Sequence, residues 1–279
     1  MNKAYQLTKK IGAVLLLAYV GFCGLVYFCP QYFFYKPSQE KSNIETARQS
    51  GKEVRELSYS SEDGTPLIAW FAPGQKNKPL ILFLHGNSHN IENFYPKLVP
   101  LNEAGYAVLL AEYRGFGGIK GTITQENLVK DARAALREAY KLGYKNNNIV
   151  VYGMSLGSHM AIKTVYDFQK RGIFAGLILE VPFDNIVNVV KKVFPLPVPG
   201  ELIIKDKYVN EDMIAAIRSP ILIMGGSKDT VVPVELAKNL YKQAPEPKRI
   251  LVYEGAGHSN LFDFQNYNAI LAWLKEKVR

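Results

Sequence analysis

The sequence predicts an α/β protein with a mainly parallel β-sheet sandwiched by helices, a small cap, and one N-terminal transmembrane helix. Three observations carry this prediction. Short apolar runs alternate with longer segments of helical periodicity over most of the chain. A long uncharged apolar stretch lies near the N-terminus, and an unusually long interval separates two of the predicted strands.

Composition fits a single globular core with an appendage. The chain has 279 residues, of which 48% are hydrophobic. Its net charge of +9 comes from basic residues dispersed among acidic ones, which disfavours nucleic acid as a partner. The H-E-x-x-H and phosphate-loop patterns are missing, so we expect no metal and no cofactor.

Residues 11–29 contain no charge, and 19 helical residues span about 28 Å, close to the thickness of the bilayer core. A cleaved signal peptide is the alternative, but its apolar stretch is usually shorter and ends in an A-x-A-like site. We therefore predict that residues 1–35 form an uncleaved membrane anchor. The two cysteines, Cys23 and Cys29, both lie in this stretch and leave the redox compartment undecided.

The flanks of this stretch suggest its orientation. Lys3, Lys9 and Lys10 precede it, which favours a cytoplasmic N-terminus and a catalytic domain on the non-cytoplasmic, periplasmic or lumenal side. Lys36, Lys41 and Arg48 on the other flank weaken this asymmetry. Six aromatic residues cluster at the end of the stretch, as is typical of a membrane interface. They are Tyr27, Phe28, Tyr32, Phe33, Phe34 and Tyr35.

The remainder of the chain divides into a linker at 36–56 and one domain at 57–279. Apolar runs predict parallel strands, with an earlier antiparallel strand at 66–72. The predicted parallel strands are 80–84, 107–111, 148–152, 176–179, 221–224 and 250–253, and the predicted helices are 91–103, 125–141, 156–170, 234–243 and 266–277. In such sheets the chemistry lies in loops at the carboxyl ends of the strands.

One of these loops carries a nucleophile pattern. The strand at 148–152 runs into Gly153-Met154-Ser155-Leu156-Gly157, a G-x-S-x-G sequence in a strand-turn-helix context. The glycines allow a sharp turn that holds the serine hydroxyl out of the sheet. Ser155 is therefore the candidate nucleophile.

A serine hydroxyl needs a histidine as its base and an acid that orients the histidine. In this type of fold the chain order is serine, then acid, then histidine. His258, in a glycine-bearing loop after the last strand, fits the base. Asp229 follows the preceding strand and fits the acid. Glu180 and Asp184, after an earlier strand, are the alternatives for the acid.

Acyl transfer also requires two N–H donors for the developing oxyanion. The residue after the nucleophile, Leu156, and Asn87 in the loop after the 80–84 strand occupy these positions. We expect His85 to support that loop. His89 and His159 are predicted to be structural or to lie near the substrate.

These motifs resemble the α/β-hydrolase superfamily from about residue 57 onward, and in particular the membrane-anchored abhydrolase-domain serine hydrolases of the bud-emergence type. The matching features are the anchor, the loops around Asn87, Asp229 and His258, residues 112–117, and the Gly153–Gly157 turn. The resemblance implies hydrolysis of carboxylic esters or thioesters of lipid-like acyl groups through an acyl-enzyme.

The interval at 181–219 is predicted to be the cap. Its first half is mostly apolar and could line an acyl pocket or contact lipid, while Lys191, Lys192, Lys205 and Lys207 could meet anionic head groups. A cap that merely packs on the core is the alternative. For function, a serine peptidase of the same fold and a catalytically silent, membrane-tethered binding module remain open, and the oligomeric state is undetermined.

Overall fold

The computed structural model describes residues 3–194 and 198–278, so Leu196 and its two proline neighbours in the predicted cap lie outside the described residues. Its centre is a mixed sheet of eight strands. These are β1 (Arg55–Ser60), β2 (Pro66–Ala72), β3 (Leu80–Leu84), β4 (Ala107–Ala111), β5 (Ile149–Met154), β6 (Gly176–Glu180), β7 (Ile221–Gly226) and β8 (Lys248–Tyr253).

The sheet order is β8-β7-β6-β5-β3-β4-β2-β1. All pairings from β8 through β4 are parallel, whereas β2 pairs antiparallel with both β4 and β1. The central strands β3, β4, β5 and β6 are buried along their whole length, as continuous apolar runs between two helical layers require. The predicted α/β class and the antiparallel assignment of 66–72 are confirmed.

Seven helices of eight or more residues are described, and those that follow α1 cover both faces of the sheet. They are α1 (Lys3–Phe28), α2 (Ile91–Glu103), α3 (Gln125–Lys141), α4 (Leu156–Phe168), α5 (Ile186–Val193), α6 (Val234–Gln243) and α7 (Asn266–Lys277). Short helical turns lie at Gln31–Phe34, Ile44–Arg48, Asn146–Asn148, Gln169–Arg171, Gly200–Ile203, Glu211–Ile214 and Leu261–Phe264.

Helix boundaries follow local chemistry. Thr124 begins α3 by accepting the Asn127 N–H, and Asn185 begins α5 in the same way through the Asn188 N–H. The apolar face of α3, including Leu128, Ala132 and Leu136, packs into the core. These helices therefore hold the loops at the carboxyl edge of the sheet in fixed positions.

Helix α1 is long and apolar enough to cross a membrane over Tyr5–Phe28, with a mean hydropathy of 2.2 and only 6% of its most apolar window buried. Its C-terminal end contacts the cap, where Phe22 stacks on Phe194 at a centroid distance of 5.4 Å. Lys205 of the cap lies 4.0 Å above the Tyr27 ring.

The aromatic residues at the end of α1 and just after it differ in their exposure. Phe28 and Tyr32 are 75% and 79% exposed, as expected of interfacial side chains. Tyr35 is instead buried, and its hydroxyl lies 2.5 Å from that of Tyr208 in the cap. The burial of Tyr35 therefore disagrees with the prediction that all six aromatics lie at a membrane interface, which stays a prediction for the exposed ones.

The predicted linker is attached to the domain. Lys36–Pro37 pairs in parallel with Ser88–His89, and Ala47 packs among buried residues of the α2 side of the sheet. Strand β1 begins at Arg55, two residues before the predicted start of the domain at 57. The segment between α1 and β1 thus runs across the carboxyl edge of the sheet, where the functional loops lie.

Candidate active site

Ser155 occupies the turn between β5 and α4. Its backbone has φ +52° and ψ −118°, a conformation that costs a residue with a side chain about 1–3 kcal/mol. The Ser155 N–H donates to the Glu180 carbonyl oxygen at 2.8 Å, which ties the turn to β6. The residue is 7% exposed and lines two cavities.

The glycines on either side of this turn are required by close backbone approach. A Cβ at Gly157 would lie 2.0 Å from the Leu84 carbonyl oxygen, and one at Gly153 would lie 2.4 Å from the Gly157 carbonyl oxygen. Neither contact is sterically possible without moving the backbone. The G-x-S-x-G spacing therefore lets β5 and α4 pack against the end of β3 while the serine stays in the strained turn.

The three predicted side chains are brought together in one chain of hydrogen bonds. His258 Nε2 lies 2.9 Å from Ser155 Oγ, and His258 Nδ1 lies 2.7 Å from Asp229 Oδ2. An imidazole held in this way can accept a proton from a hydroxyl while the carboxylate stabilises the resulting imidazolium.

Asp229 is held by backbone donors that no sequence pattern reveals. Its Oδ1 accepts the N–H groups of Val231 and Val232 at 2.9 and 2.7 Å, which leaves Oδ2 for the imidazole. The side chain is almost completely buried. These two donors fix the carboxylate plane, and with it the orientation of the ring that it contacts.

The alternatives for the acid have other partners. Glu180 is buried beside Tyr152 and Lys97, with Lys97 Nζ 3.3 Å from its Oε1. Asp184 accepts from the Asn185 N–H at 2.7 Å and from the Asn239 side-chain amide at 3.1 Å. The geometry therefore favours Asp229 over both as the partner of His258.

The acid and histidine loops are joined to each other. The Lys228 N–H donates to the Ala256 carbonyl oxygen at 2.8 Å, and the Ser227 hydroxyl oxygen accepts the Gly255 N–H at 2.8 Å. Because these loops follow the adjacent strands β7 and β8, the parallel register already places them side by side.

The residues of the two predicted oxyanion donors lie next to Ser155. Leu156 is the first residue of α4, and Asn87 follows Gly86, where an added Cβ would lie 3.5 Å from the Ser155 Cβ. Asn87, Ser155 and Leu156 all line the same cavity. Two main-chain N–H groups in this arrangement can stabilise negative charge on a substrate oxygen.

His85 supports the Asn87 loop, as the sequence predicts. Its Nδ1 lies 2.8 Å from the Gly86 carbonyl oxygen, and its Nε2 lies 2.8 Å from Glu112 Oε1. Glu112 also accepts the Ile91 N–H at 3.0 Å. In the sequence Glu112 stands out only as part of a matching motif, and its pairing with His85 spans 27 residues, so no local pattern could reveal it.

His159 and His89 differ in their surroundings. His159 is buried on α4, with Nδ1 2.8 Å from Asn210 Oδ1 and its ring against Tyr208 at 5.1 Å. It is therefore structural. His89 is exposed and lines a cavity beside Ser155.

Burial lowers the pKa of His159 from its ordinary value of 6.5 to about 4. Below pH 6.5 the unfolded chain takes up a proton that the folded chain does not, so stability is lost as the pH falls toward 4. Between pH 7.5 and pH 5 this loss is about 2 kcal/mol for this residue. Between the same two pH values, we expect the free energy of unfolding of His159→Gln to fall by about 2 kcal/mol less than that of the wild type. Urea unfolding measures this difference. An identical pH dependence of the two proteins would contradict this.

An apolar cavity of about 290 Å³ opens beside Ser155. Its walls come from the cap, the acid loop, the end of α1 with the chain that follows it, and the residues around Ser155 and Asn87. They comprise Val26, Phe33, Phe34, Tyr35, Asn87, Ser155, Leu156, Phe183, Ile186, Val189, Val190, Val193, Phe194, Val198, Ile204, Tyr208, Thr230, Val231 and Val232.

A second cavity of about 210 Å³ meets the serine from the other side. It is lined by more polar groups, among them Asn93, Lys97, Ser259 and His258. Ser155 and Asn87 border both cavities. The serine therefore stands between an apolar compartment and a polar one.

The chain is similar to several known proteins. The family model described as "Serine aminopeptidase, S33" matches residues 75–205 and 206–265, more than half of the chain. The uncharacterized protein YfhR of Escherichia coli is 27% identical over 93% of this chain and 91% of its own length. Human protein ABHD12B is 32% identical over 63% of this chain and 52% of its own length.

Among solved structures, the Pyrococcus furiosus esterase Pf2001 is similar with a TM-score of 0.70 and 20% identity, over 88% of this chain and 99% of that chain. At this identity the likeness shows the α/β-hydrolase fold alone. Taken with the matched family model and the human relative, it confirms the resemblance to abhydrolase-domain proteins. The chain belongs to the serine aminopeptidase S33 family of α/β hydrolases.

Proposed function

We propose that this hydrolase cleaves carboxylic ester or thioester bonds of lipid-like acyl substrates, with Ser155, His258 and Asp229 as its catalytic triad. The observation that carries the proposal is the apolar cavity beside Ser155, whose wall is shared by cap helix α5 and the end of α1. An acyl chain in that cavity would leave its alcohol or thiol in the polar cavity on the other side.

In this mechanism the Ser155 hydroxyl attacks the acyl carbonyl carbon as His258 Nε2 takes its proton. The N–H groups of Asn87 and Leu156 stabilise the oxyanion. When the bond to the leaving group breaks, the imidazolium returns the proton to the leaving oxygen or sulfur, and an acyl-Ser155 ester remains. Water activated by His258 then releases the carboxylic acid.

An aminopeptidase reaction is the second candidate, because the family description names one. Such an enzyme needs a carboxylate near the site to bind the substrate ammonium group. Over the residues described at 3–194 and 198–278, neither cavity beside Ser155 is lined by Asp or Glu. This favours an uncharged acyl group over an amino-terminal residue.

Helix α1 is proposed to anchor the enzyme in a membrane rather than to be removed as a signal sequence. Its end packs against the cap and contributes Val26 to the apolar cavity. Of the cap lysines, Lys191 and Lys207 both pair with the Glu201 carboxylate, so a head-group role falls on Lys192 and on Lys205, which lies over the Tyr27 ring. The positive residues before α1 favour a non-cytoplasmic catalytic domain, which protease accessibility in oriented vesicles would test.

The acyl part of the proposal is tested with p-nitrophenyl esters of increasing chain length. Each buried methylene contributes up to about 0.8 kcal/mol, so we expect kcat/KM to rise at least about tenfold from acetyl to octanoyl. Val190→Phe, which narrows the apolar cavity, should reduce this preference.

Val252→Phe is the matched control, because Val252 is exposed on the edge strand β8. The Ser155→Ala variant measures any hydrolysis that does not depend on the serine. A preference for acetyl over octanoyl esters in the wild type would refute the lipid-like substrate class.

A further inference from the structure

The short segment that leaves the proposed membrane helix contacts the oxyanion loop directly. We define the juxtamembrane segment as residues 34–38 and the oxyanion loop as residues 86–89. Asn87 Nδ2 donates to the Phe34 carbonyl oxygen at 2.8 Å, and the Lys36 N–H donates to the Asn87 carbonyl oxygen at 2.8 Å. The Ser38 N–H donates to the His89 carbonyl oxygen at 3.0 Å.

We propose that the juxtamembrane segment is part of the catalytic centre, in which the Lys36 main chain positions the Asn87 N–H to stabilise the oxyanion. This inference rests on the proposed hydrolase function. It assigns a positioning role to a segment that the sequence predicts to be a linker, and it makes the end of the membrane helix a determinant of catalytic rate.

The geometry explains how a bond to the Asn87 carbonyl group can orient the Asn87 N–H. These two groups belong to the successive peptide planes on either side of the Asn87 Cα. His85 holds the first plane through the Gly86 carbonyl oxygen, and Lys36 holds the second through the Asn87 carbonyl oxygen. With both planes fixed, the direction of the N–H is fixed as well, as oxyanion stabilisation requires.

The segment is itself held on its other sides. Tyr35 contacts Tyr208 of the cap through their hydroxyl groups at 2.5 Å, and the Gly117 N–H donates to the Ser38 carbonyl oxygen at 2.9 Å. Further along, Ser42 Oγ lies 3.4 Å from Glu112 Oε2, the carboxylate that also contacts His85. Residues 36–42 therefore contact both peptide planes of Asn87, one directly through Lys36 and the other through Glu112 and His85.

Lys36→Pro removes the main-chain donor. The Lys36 side chain is exposed, and Tyr35 already has φ −129° and ψ 141°, which a residue before proline prefers. Lys36→Ala keeps the N–H and is the matched control. With p-nitrophenyl butanoate and the full-length protein in detergent, we expect Lys36→Pro to lower kcat about tenfold to a hundredfold. A decrease of this size corresponds to the partial loss of one oxyanion donor.

Two further readouts separate positioning from general damage. KM should stay within about twofold, and affinity for a trifluoromethyl ketone, which forms a tetrahedral oxyanion on the serine, should fall in parallel with kcat. Equal kcat values for Lys36→Pro and Lys36→Ala would overturn the inference. Hydrolysis that persists in Ser155→Ala would instead overturn the proposed function.

Asn87→Ala provides a second variant in case Lys36→Pro does not fold. It deletes the bond to the Phe34 carbonyl oxygen but keeps the Asn87 N–H. The main-chain bond from Lys36 remains in this variant, so we expect only a severalfold decrease in kcat at unchanged KM. A decrease that the affinity for the trifluoromethyl ketone follows supports the inference, whereas wild-type values of both in a folded Asn87→Ala protein contradict it.

Discussion

Asp229→Asn is expected to lower kcat about 10⁴-fold while leaving the fold intact. The asparagine oxygen can still accept the Val231 and Val232 N–H groups, so its NH₂ group would face His258 Nδ1. The ring must then carry its proton on Nε2, the atom that should accept the Ser155 proton. Steady-state hydrolysis of a p-nitrophenyl ester measures the loss.

Asp184→Asn is the matched control, since Asp184 is one of the two alternative acids and is also buried. Its partner Asn239 can turn its amide to accept from the new NH₂ group. We expect kcat within about threefold of the wild type. If Asp184→Asn loses activity and Asp229→Asn does not, the assignment of the acid is wrong.

Gly157→Ala is expected to lower kcat/KM at least about 10²-fold, because small displacements of reacting groups are costly in catalysis. The added methyl group would lie 2.0 Å from the Leu84 carbonyl oxygen and 2.5 Å from the His85 carbonyl oxygen. Both atoms belong to the backbone at the end of β3, so α4 must move away from that strand end. The turn that holds Ser155 would move with it.

Gly21→Ala in α1 is the control for this substitution, because a Cβ there meets nothing within 4 Å. Circular dichroism establishes whether each variant is folded. Activity of Gly157→Ala within about threefold of Gly21→Ala would mean that the turn has more freedom than the contacts allow.

Elements whose signal is local could be predicted from the sequence. Strands β3 and β4 and helices α2, α3 and α6 have the predicted bounds, because each is a continuous apolar run or an amphipathic pattern between clear turn residues. Ser155, Asp229 and His258 could be identified because each follows a predicted strand, and the parallel sheet brings those strand ends together.

Features that depend on distant partners could not be predicted. Strand β1 is one of them, since Arg55–Ser60 is mostly polar and only its Tyr59 is buried. The pairing of Lys36–Pro37 with Ser88–His89 and the bond between His85 and Glu112 join distant parts of the chain. No period or motif encodes such contacts, because they arise only when the sheet has assembled.

The same reason explains why residues 36–56 resemble a linker in the sequence. Their polarity is typical of an exposed connection, but polar groups here are used for hydrogen bonds across the carboxyl edge of the sheet. Ser42 near Glu112 and the Asn43 N–H near Glu92, at 2.7 Å, are examples. Polarity alone does not distinguish a free connection from one that is fixed by hydrogen bonds.

Labelling with a fluorophosphonate probe, followed by mass spectrometry of the full-length protein, tests whether the chain is a serine hydrolase or a tethered binding module. We predict one adduct per chain, located on the peptide that contains Ser155, blocked by an octanoyl ester and absent in Ser155→Ala. A folded wild type that takes up no probe, or a Ser155→Ala variant that is labelled equally, would contradict the proposed chemistry.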